Sequence, residues 1–456
     1  MTALSTTTGR PDDRTTGRGG RPAATNTCRV CAPLGAVLAF RGIRGCVPLV
    51  HGSQGCATYI RRYLISHFRE PMDVASTSFT ESSTVFGGRS NLNEAMANIA
   101  SQYHPEVVGV CTTCLAETIG EDTQGMLRDL ARDPTLPRAL FVATPSFKGC
   151  QHRGFHDAVG AILAQTAAGG EPLRQINLLA GPVSPADLRH LREVVDQLGI
   201  PTILFPDYSE TLDGPSLAQY APVPAGGVGL DQLALAGRSL CTIQLGAVLE
   251  PGPGQVLLEH HGVALRPFGL PIGVTATDAV FNALADAAGA PLPERILAER
   301  GRLVDAYVDG HKYLAGKRVA LVGDPDLVVA LAGFCAEIGL VPVLAATGAI
   351  TGRLAGAVAA VGAGAAEVLE DGDHQHIGER IEHLQPDLIL GPSKSYTTSR
   401  KLSIPLVRVG FPVHDRIGAG RILHLGYRGT QRLFDEIVNT LLEHNQDTSE
   451  TGYAYL

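Results

Sequence analysis

Residues 317–348 read KRVALVGDPDLVVALAGFCAEIGLVPVLAATG, and this stretch contains one complete unit of the fold. Its apolar opening predicts a buried strand, GDPD (323–326) a turn at the strand's end, residues 327–340 a helix and residues 341–348 the next strand. Continuous apolar runs are typical of strands buried on both faces of a parallel sheet. A helix between two such strands joins parallel neighbours by a right-handed crossover. The segment therefore predicts an α/β fold.

The same alternation of strand and helix recurs along most of the chain. Strand-like runs lie at 106–114, 138–147, 175–184, 200–207, 386–393 and 404–412, and helix-like runs lie at 120–133, 185–199 and 429–445. This order predicts parallel sheets flanked by helices. We expect three Rossmann-like domains at residues 26–170, 171–315 and 316–456. Residues 1–25 are rich in Thr, Gly, Arg and Asp, which predicts a disordered N-terminal arm.

The composition argues against several classes of protein. With 456 residues the chain is too long for one hydrophobic core, and 45% hydrophobic with 18% charged residues is typical of a folded protein. A net charge of −8, with no basic block after the first 25 residues, argues against a nucleic-acid partner. Neither a signal peptide nor an apolar run of about 18 residues is present, so we expect a cytoplasmic protein without a membrane partner.

Nine cysteines are present, and seven of them precede residue 151. In the cytoplasm disulfides are disfavoured, and crowded cysteines more often bind metal or do chemistry. Ligands of open parallel sheets bind beyond the carboxyl ends of the strands. Cys31, Cys56 and Cys114 fall on turns at such places, with Gly, Ala or Thr beside them. Because thiolates are the usual ligands of iron–sulfur clusters, these three are candidate ligands.

The remaining cysteines have simpler interpretations or leave alternatives open. Four are expected to be buried hydrophobic side chains, namely Cys46, Cys150, Cys241 and Cys335. The C-x-x-C pairs Cys28/Cys31 and Cys111/Cys114 would suit zinc, but they lie too far apart for a zinc ribbon. A thioredoxin-like pair at Cys111 and Cys114 would open a helix, whereas the sequence predicts that the helix begins near Gly120.

Two further features of the sequence bear on the function. The chain has neither a Walker A motif nor a G-x-G-x-x-G fingerprint, which weakens the alternative of a cluster-free protein that binds a nucleotide sugar. Four basic side chains follow Cys56 closely: Arg61, Arg62, His67 and Arg69. They form either a solvated helix face or a surface that contacts a partner and balances the charge of a cluster.

Several long motifs resemble the β-type subunits of nitrogenase component 1. They are CAPLGAVLAF (31–40), PLVHGSQGCATYIRRYLISHFREP (48–71), TSFTESSTVFGG (77–88), CTTCLAETIGEDT (111–123) and the stretches 299–326 and 404–439. The resemblance implies that Cys31, Cys56 and Cys114 contribute to an iron–sulfur cluster shared with a partner subunit. That cluster would be an 8Fe-7S cluster of the P-cluster type or a 4Fe-4S cluster. TPSF (144–147) matches the family's serine loop and makes Ser146 an auxiliary contact.

The same resemblance implies an assembly and an activity. It implies an α2β2 oxidoreductase that this chain forms with an α-type subunit. The shared cluster would receive electrons from an ATP-dependent iron–sulfur reductase and pass them to a larger cluster in the α-type partner. Three branches stay open: the nitrogenase β subunit, the N-type subunit of the scaffold that assembles the iron–molybdenum cofactor, and nitrogenase-like reductases such as methylthio-alkane reductase. LFPDYSETLDG (204–214) is more similar to the scaffold, whereas the complete cysteine set favours a reductase.

Overall fold

The computed structural model describes residues 29–219, 221–246, 248 and 250–452. The arm predicted for residues 1–25 and the candidate Cys28 lie outside the described residues. Three separate sheets, parallel throughout and flanked by helices, confirm the predicted α/β class. The domain boundaries near residues 170 and 315 stay a prediction. Within the described ranges, no helix is both long enough and apolar enough to cross a membrane.

The first sheet has the strand order β2–β1–β3–β4. Its strands are β1 (Cys46–His51), β2 (Ala75–Ser76), β3 (Val107–Thr112) and β4 (Arg138–Val142). Its helices are α1 (Ala32–Phe40), α2 (Gln54–Phe68), α3 (Glu81–Phe86), α4 (Arg89–Tyr103), α5 (Cys114–Thr118), α6 (Thr123–Leu130) and α7 (Gln151–Thr166). Every residue of β1 and β3 is buried, because helices cover both faces of the sheet.

The second sheet has the strand order β6–β5–β7–β8. Its strands are β5 (Ile176–Leu179), β6 (Thr202–Phe205), β7 (Cys241–Leu245) and β8 (Ala264–Phe268). Its helices are α8 (Pro185–Leu198), α9 (Leu230–Ala234), α10 (Gln255–His261), α11 (Val274–Ala288) and the long α12 (Glu294–Leu314), with a 3₁₀ turn at Leu235–Arg238. Ser184 caps α8 by accepting a hydrogen bond from the Asp187 N–H, which fixes where this helix begins.

The third sheet has the strand order β11–β10–β9–β12–β13. Its strands are β9 (Arg318–Val322), β10 (Val341–Ala346), β11 (Glu367–Leu369), β12 (Leu388–Gly391) and β13 (Leu406–Arg408). Its helices are α13 (Pro325–Glu337), α14 (Leu354–Val358), α15 (His374–Leu384), α16 (Tyr396–Leu402) and α17 (Gly426–Thr448), with a π-helical turn at Ala359–Ala363 and 3₁₀ turns at Ser393–Ser395 and Ala419–Arg421. The unit quoted first, β9–α13–β10, therefore has the predicted structure.

Helices α1 and α7 approach each other until their backbones touch. A Cβ atom on Gly35 would lie 1.9 Å from the Gln151 carbonyl oxygen, and one on Gly154 would lie 2.0 Å from the Ala32 carbonyl oxygen. Only glycine allows this approach. The contact fixes the start of α1, which carries Cys31, against the start of α7.

Polar side chains join the loops that follow the carboxyl ends of the three sheets. The Asp187 carboxylate, on α8, accepts hydrogen bonds from the N–H groups of His424 (2.8 Å) and Leu425 (2.9 Å). The Asp326 carboxylate, at the start of α13, accepts one from the Val248 N–H (3.0 Å). Because ligands of parallel sheets bind at such ends, the junction of the three sheets is a natural place for a site.

Candidate metal centre

The three candidate cysteines all lie at the beginning of a helix. Cys31 is the residue just before α1, Cys56 is the third residue of α2 and Cys114 is the first residue of α5. The first turn of a helix leaves N–H groups without partners inside the helix, and its dipole favours negative charge. Backbone N–H groups are therefore available at these positions for thiolates that a metal has deprotonated. The prediction that the helix after Cys114 begins near Gly120 was wrong, because α5 starts at Cys114 itself and α6 follows it.

Exposure separates the candidate ligands from the other cysteines. Cys31, Cys56 and Cys114 are half-buried. The other described cysteines are buried: Cys46, Cys111, Cys150, Cys241 and Cys335. The predicted burial of four of these is thereby confirmed. The half-buried thiols keep one side open to a ligand that the chain itself does not cover.

Hydrogen-bond donors surround the candidate sulfurs. The Ser146 N–H donates to Cys114 Sγ (3.1 Å), and the Ser53 hydroxyl donates to Cys56 Sγ (3.4 Å). Ser146 Oγ also accepts a hydrogen bond from the Ala32 N–H (3.1 Å), directly after Cys31. The structure thus places Ser146 between the segments that carry Cys31 and Cys114. Donors of this kind orient cluster ligands and tune the potential of a cluster.

The thiols of Cys56 and Cys114 are close enough to Cys31 to affect its ionisation. Burial, together with the nearby thiols of Cys56 and Cys114, raises the pKa of Cys31 to about 11. Without a metal, Cys31 is therefore protonated at neutral pH. A metal that binds there must displace the proton, as is usual for thiolate sites. The donor set fits a cluster that supplies this positive charge.

Cys111 does not suit the alternatives that need the C-x-x-C pair at 111–114. It lies in the middle of the hydrophobic core on β3, and burial raises its pKa well above the usual range. A thioredoxin-like pair needs a thiol whose pKa is lowered. A zinc site needs both thiolates bound to the same ion, and the buried position of Cys111 does not suit this.

His67 differs from the basic residues that precede it. It is buried, and its Nδ1 accepts a hydrogen bond from the Val413 N–H (2.9 Å). It therefore belongs neither to a solvated helix face nor to an exposed partner surface. Arg61 and Arg69 do lie at the surface, where they donate to the carbonyl oxygens of Met72 (2.7 Å) and His414 (2.8 Å).

A second group of metal-binding side chains was missed in the sequence. His152 and His156 lie one turn apart on α7, and both approach Asp326 at the start of α13. Two histidines at i and i+4 on one helix face are a common metal-binding pattern, so HRGFH (152–156) was a signal that the sequence offered. Asp326 could not be paired with this motif from the sequence, because the two are far apart in the chain.

Comparison with known proteins places the chain in a family. The family model described as nitrogenase component 1 type oxidoreductase matches residues 31–442. The nitrogenase molybdenum-iron protein beta chain of Clostridium pasteurianum is 37% identical over 426 residues, which cover 92% of this chain and 93% of that protein. The nitrogenase iron-molybdenum cofactor biosynthesis protein NifN of Bradyrhizobium diazoefficiens is 31% identical over 432 residues, which cover 92% and 90%.

A solved structure of nitrogenase Cp1 at pH 6.5 has the same fold, with a TM-score of 0.92 at 35% identity and coverage of 96% of this chain and 97% of that chain. The fold, the thiols at helix starts and these matches together define an oxidoreductase of the nitrogenase component 1 type, and the chain belongs to this family. Within it, the chain is a β-type subunit.

Proposed function

We propose that this chain is the β-type subunit of a nitrogenase-like reductase and that Cys31, Cys56 and Cys114 hold an iron–sulfur cluster shared with an α-type subunit. The observation that carries the proposal is the exposure of the cysteines: these three are half-buried and every other described cysteine is buried. Three thiolates leave an iron–sulfur cluster short of ligands, so the open side must face ligands from another chain.

When bound, the cluster would relay electrons from an ATP-dependent iron–sulfur reductase to a larger cluster in the α-type partner. The chain's own residues set the conditions for this. The Ser146 N–H and the Ser53 hydroxyl donate hydrogen bonds to Cys114 Sγ and Cys56 Sγ, and such donors orient cluster ligands. Both an 8Fe-7S cluster of the P-cluster type and a 4Fe-4S cluster are compatible with three thiolates, and iron counting with Mössbauer spectra would distinguish them.

Exposed apolar side chains on the described surface support contact with partners. Phe147 follows Ser146 directly and is 64% exposed, and Val85 and Phe86 at the end of α3 are 75% and 86% exposed. Apolar side chains left in water close together are typical of protein interfaces. We assign these two surfaces to the α-type subunit and the reductase, in an α2β2 assembly.

The α3 surface is linked to the strand that precedes Cys56. His51, the last residue of β1, bonds through Nε2 to Glu121 Oε2 (2.8 Å), and Glu121 Oε1 accepts a hydrogen bond from the Gly88 N–H (2.5 Å). Burial lowers the pKa of His51 despite this carboxylate. The buried link holds the exposed α3 loop in register with β1.

The second candidate is the N-type half of a scaffold that assembles the iron–molybdenum cofactor. The NifN relative, aligned over nearly the whole chain, favours it. The two proposals share a fold and a cluster but differ in what the complex does. A reductase, of which methylthio-alkane reductase is one kind, turns over repeatedly. A scaffold instead releases a cofactor precursor.

The test is an anaerobic assay of the native complex with its reductase and ATP, with dinitrogen, acetylene and small thioethers as substrates. Repeated turnover of any substrate supports the reductase, and the preferred substrate identifies the branch. An iron-containing complex that reduces none of them, but restores activity to a nitrogenase without cofactor, contradicts it and supports the scaffold.

A further inference from the structure

His152, His156 and Asp326 form a buried cluster near the junction of the three sheets, with side chains 1%, 5% and 4% exposed. His152 Nε2 lies 2.7 Å from Asp326 Oδ2, and His156 Nε2 lies 3.6 Å from the same oxygen. One ligand atom from each residue lies within 4.8 Å of the other two. None of the three belongs to the cysteine site.

Hydrogen bonds within the protein leave this cluster unsatisfied. Neither ring nitrogen of His156 has a hydrogen-bond partner, and His152 Nδ1 has none either. A neutral imidazole always carries one N–H donor and one acceptor nitrogen. Leaving such groups buried without partners is unfavourable, because they have lost their hydrogen bonds to water. A cation bound at His156 Nε2 would give this nitrogen a partner and remove part of that cost.

The surrounding backbone fixes the carboxylate in place. Asp326 Oδ1 accepts the hydrogen bond from the Val248 N–H, which leaves Oδ2 directed to the histidines. Burial alone would raise the pKa of Asp326, but the hydrogen bond from His152 lowers it below the usual range. Gly246 allows this approach, since a Cβ atom there would lie 2.7 Å from Oδ2 and its φ is +96°. The backbone therefore holds Oδ2 of this carboxylate towards the two histidines.

The cluster borders a cavity of about 80 Å³ that is lined by His152, Asp326 and Asp324 on one side. The rest of the lining is mixed, with apolar side chains such as Leu34 and Leu270 and polar ones such as Asp187. A water molecule needs about 10–15 Å³ measured in this way, so the cavity has room for several. Coordination positions not filled by the protein would thus open on this cavity.

We propose that His152, His156 and Asp326 bind one divalent first-row transition-metal ion, such as Fe²⁺ or Zn²⁺. Two imidazoles with one carboxylate are a ligand set that these ions favour. With metal–ligand bonds of about 2.1 Å, neighbouring ligand atoms are about 3.0–3.4 Å apart. The separations of 2.7 and 3.6 Å from Asp326 Oδ2 lie close to that range, and all three ligand atoms lie within 4.8 Å of one another.

The test uses the full-length chain, stripped of metal by a chelator without oxygen and titrated with Co²⁺, Zn²⁺ or Fe²⁺ alone. Cobalt reports its ligands directly, because thiolates give intense charge-transfer bands that nitrogen and oxygen ligands lack. The informative variants are His156→Gln and Asp326→Asn. Asp324→Asn is the matched control for the carboxylate, and His374→Gln, at a buried histidine outside the site, is the control for the imidazole.

We expect one Co²⁺ per chain with nitrogen and oxygen ligands in the wild type and in both controls. Loss of a direct ligand should weaken binding more than the 10–100-fold that a lost supporting contact costs. His156→Gln is expected to fold, because neither ring nitrogen bonds to the protein, and circular dichroism checks this. If the folded wild type takes up no more Co²⁺, Zn²⁺ or Fe²⁺ than folded His156→Gln, the proposal is wrong. Uptake that persists in Cys56→Ala separates this site from the proposed cysteine cluster.

Discussion

The cysteine site and the histidine site both involve the helix pair α1 and α7, since Cys31 precedes α1 and the two histidines lie on α7. The two sites differ in how many of the ligands the chain itself supplies. The thiols belong to the domain of one sheet and lie half-buried, and the exposed Phe147 follows Ser146, which bonds to Cys114 Sγ. The histidine cluster draws on α7 and α13 and on the backbone after β7, and all its side chains are buried. An open site is completed by another protein, whereas a closed site must be completed by its own chain and a small ion.

Removal of a proposed cluster ligand should have the largest effect. We expect Cys56→Ala to reduce ATP-dependent substrate reduction to the background level, because the described cysteines outside the site are all buried and cannot replace it. The matched control is Cys241→Ala, at a buried cysteine in β7, which should keep its turnover. The measurement is the rate of product formation together with iron per complex. Normal turnover by Cys56→Ala would contradict the relay role.

The contact between α1 and α7 should be the next most sensitive. Gly154→Ala forces a methyl group against the Ala32 carbonyl oxygen, 2.0 Å away, and overpacking of this kind costs about 1–3 kcal/mol or more. We expect the free energy of unfolding in urea to fall by about 3 kcal/mol. Gly160→Ala, on the same helix, is the control, since its Cβ would lie 3.6 Å from Pro253 and alanine favours helix. Equal effects of the two would show that the contact does not constrain the sites.

Acid should lower the free energy of unfolding through His67. Burial lowers its pKa from 6.5 to about 3, so the folded chain keeps it neutral while the unfolded chain protonates it below about pH 6.5. Stability is therefore lost as pH falls from 6.5 towards 3, at about 1.4 kcal/mol per pH unit. In His67→Asn the side-chain oxygen can still accept from the Val413 N–H, but it cannot titrate.

Urea unfolding at pH 6.5 and 4.5 measures this difference. We expect the wild type to lose about 2 kcal/mol more than His67→Asn between these pH values. His376→Asn, at an exposed histidine of α15, is the control and should lose as much as the wild type. Identical losses in wild type and His67→Asn would contradict the assignment of a neutral buried imidazole.

Ser146→Ala should have the smallest effect. It removes the acceptor of the Ala32 N–H but keeps the Ser146 N–H that donates to Cys114 Sγ. We expect a loss of about 1 kcal/mol in the free energy of unfolding, while iron is retained. Ser101→Ala, at an exposed serine of α4, is the control and should change stability by less than about 0.5 kcal/mol. Loss of iron from Ser146→Ala would instead make this serine a ligand.

The sequence predicted what depends on local pattern. Apolar runs located the strands, and GDPD (323–326) marked the turn after β9. The grouping of His67 with the basic surface residues was wrong, although its burial could have been predicted, because α2 buries Ala57, Ile60 and Leu64 and position 67 continues that stripe. The helix start at Cys114 carries no such signal, since Thr113 makes no side-chain capping bond. The pairing of Asp326 with α7 depends on how separate sheets pack, which no local pattern encodes.

The backbone contact at Gly35 and Gly154 also has a consequence for the way the chain can evolve. The two glycines lie on different helices, yet each faces the other helix's backbone, so neither helix can change unless the other moves. In a selection from a random library both positions should return only glycine. A search that takes invariant residues as active-site residues would then select Gly35 and Gly154. These two residues touch no ligand, and their role is to hold the two helices in one register.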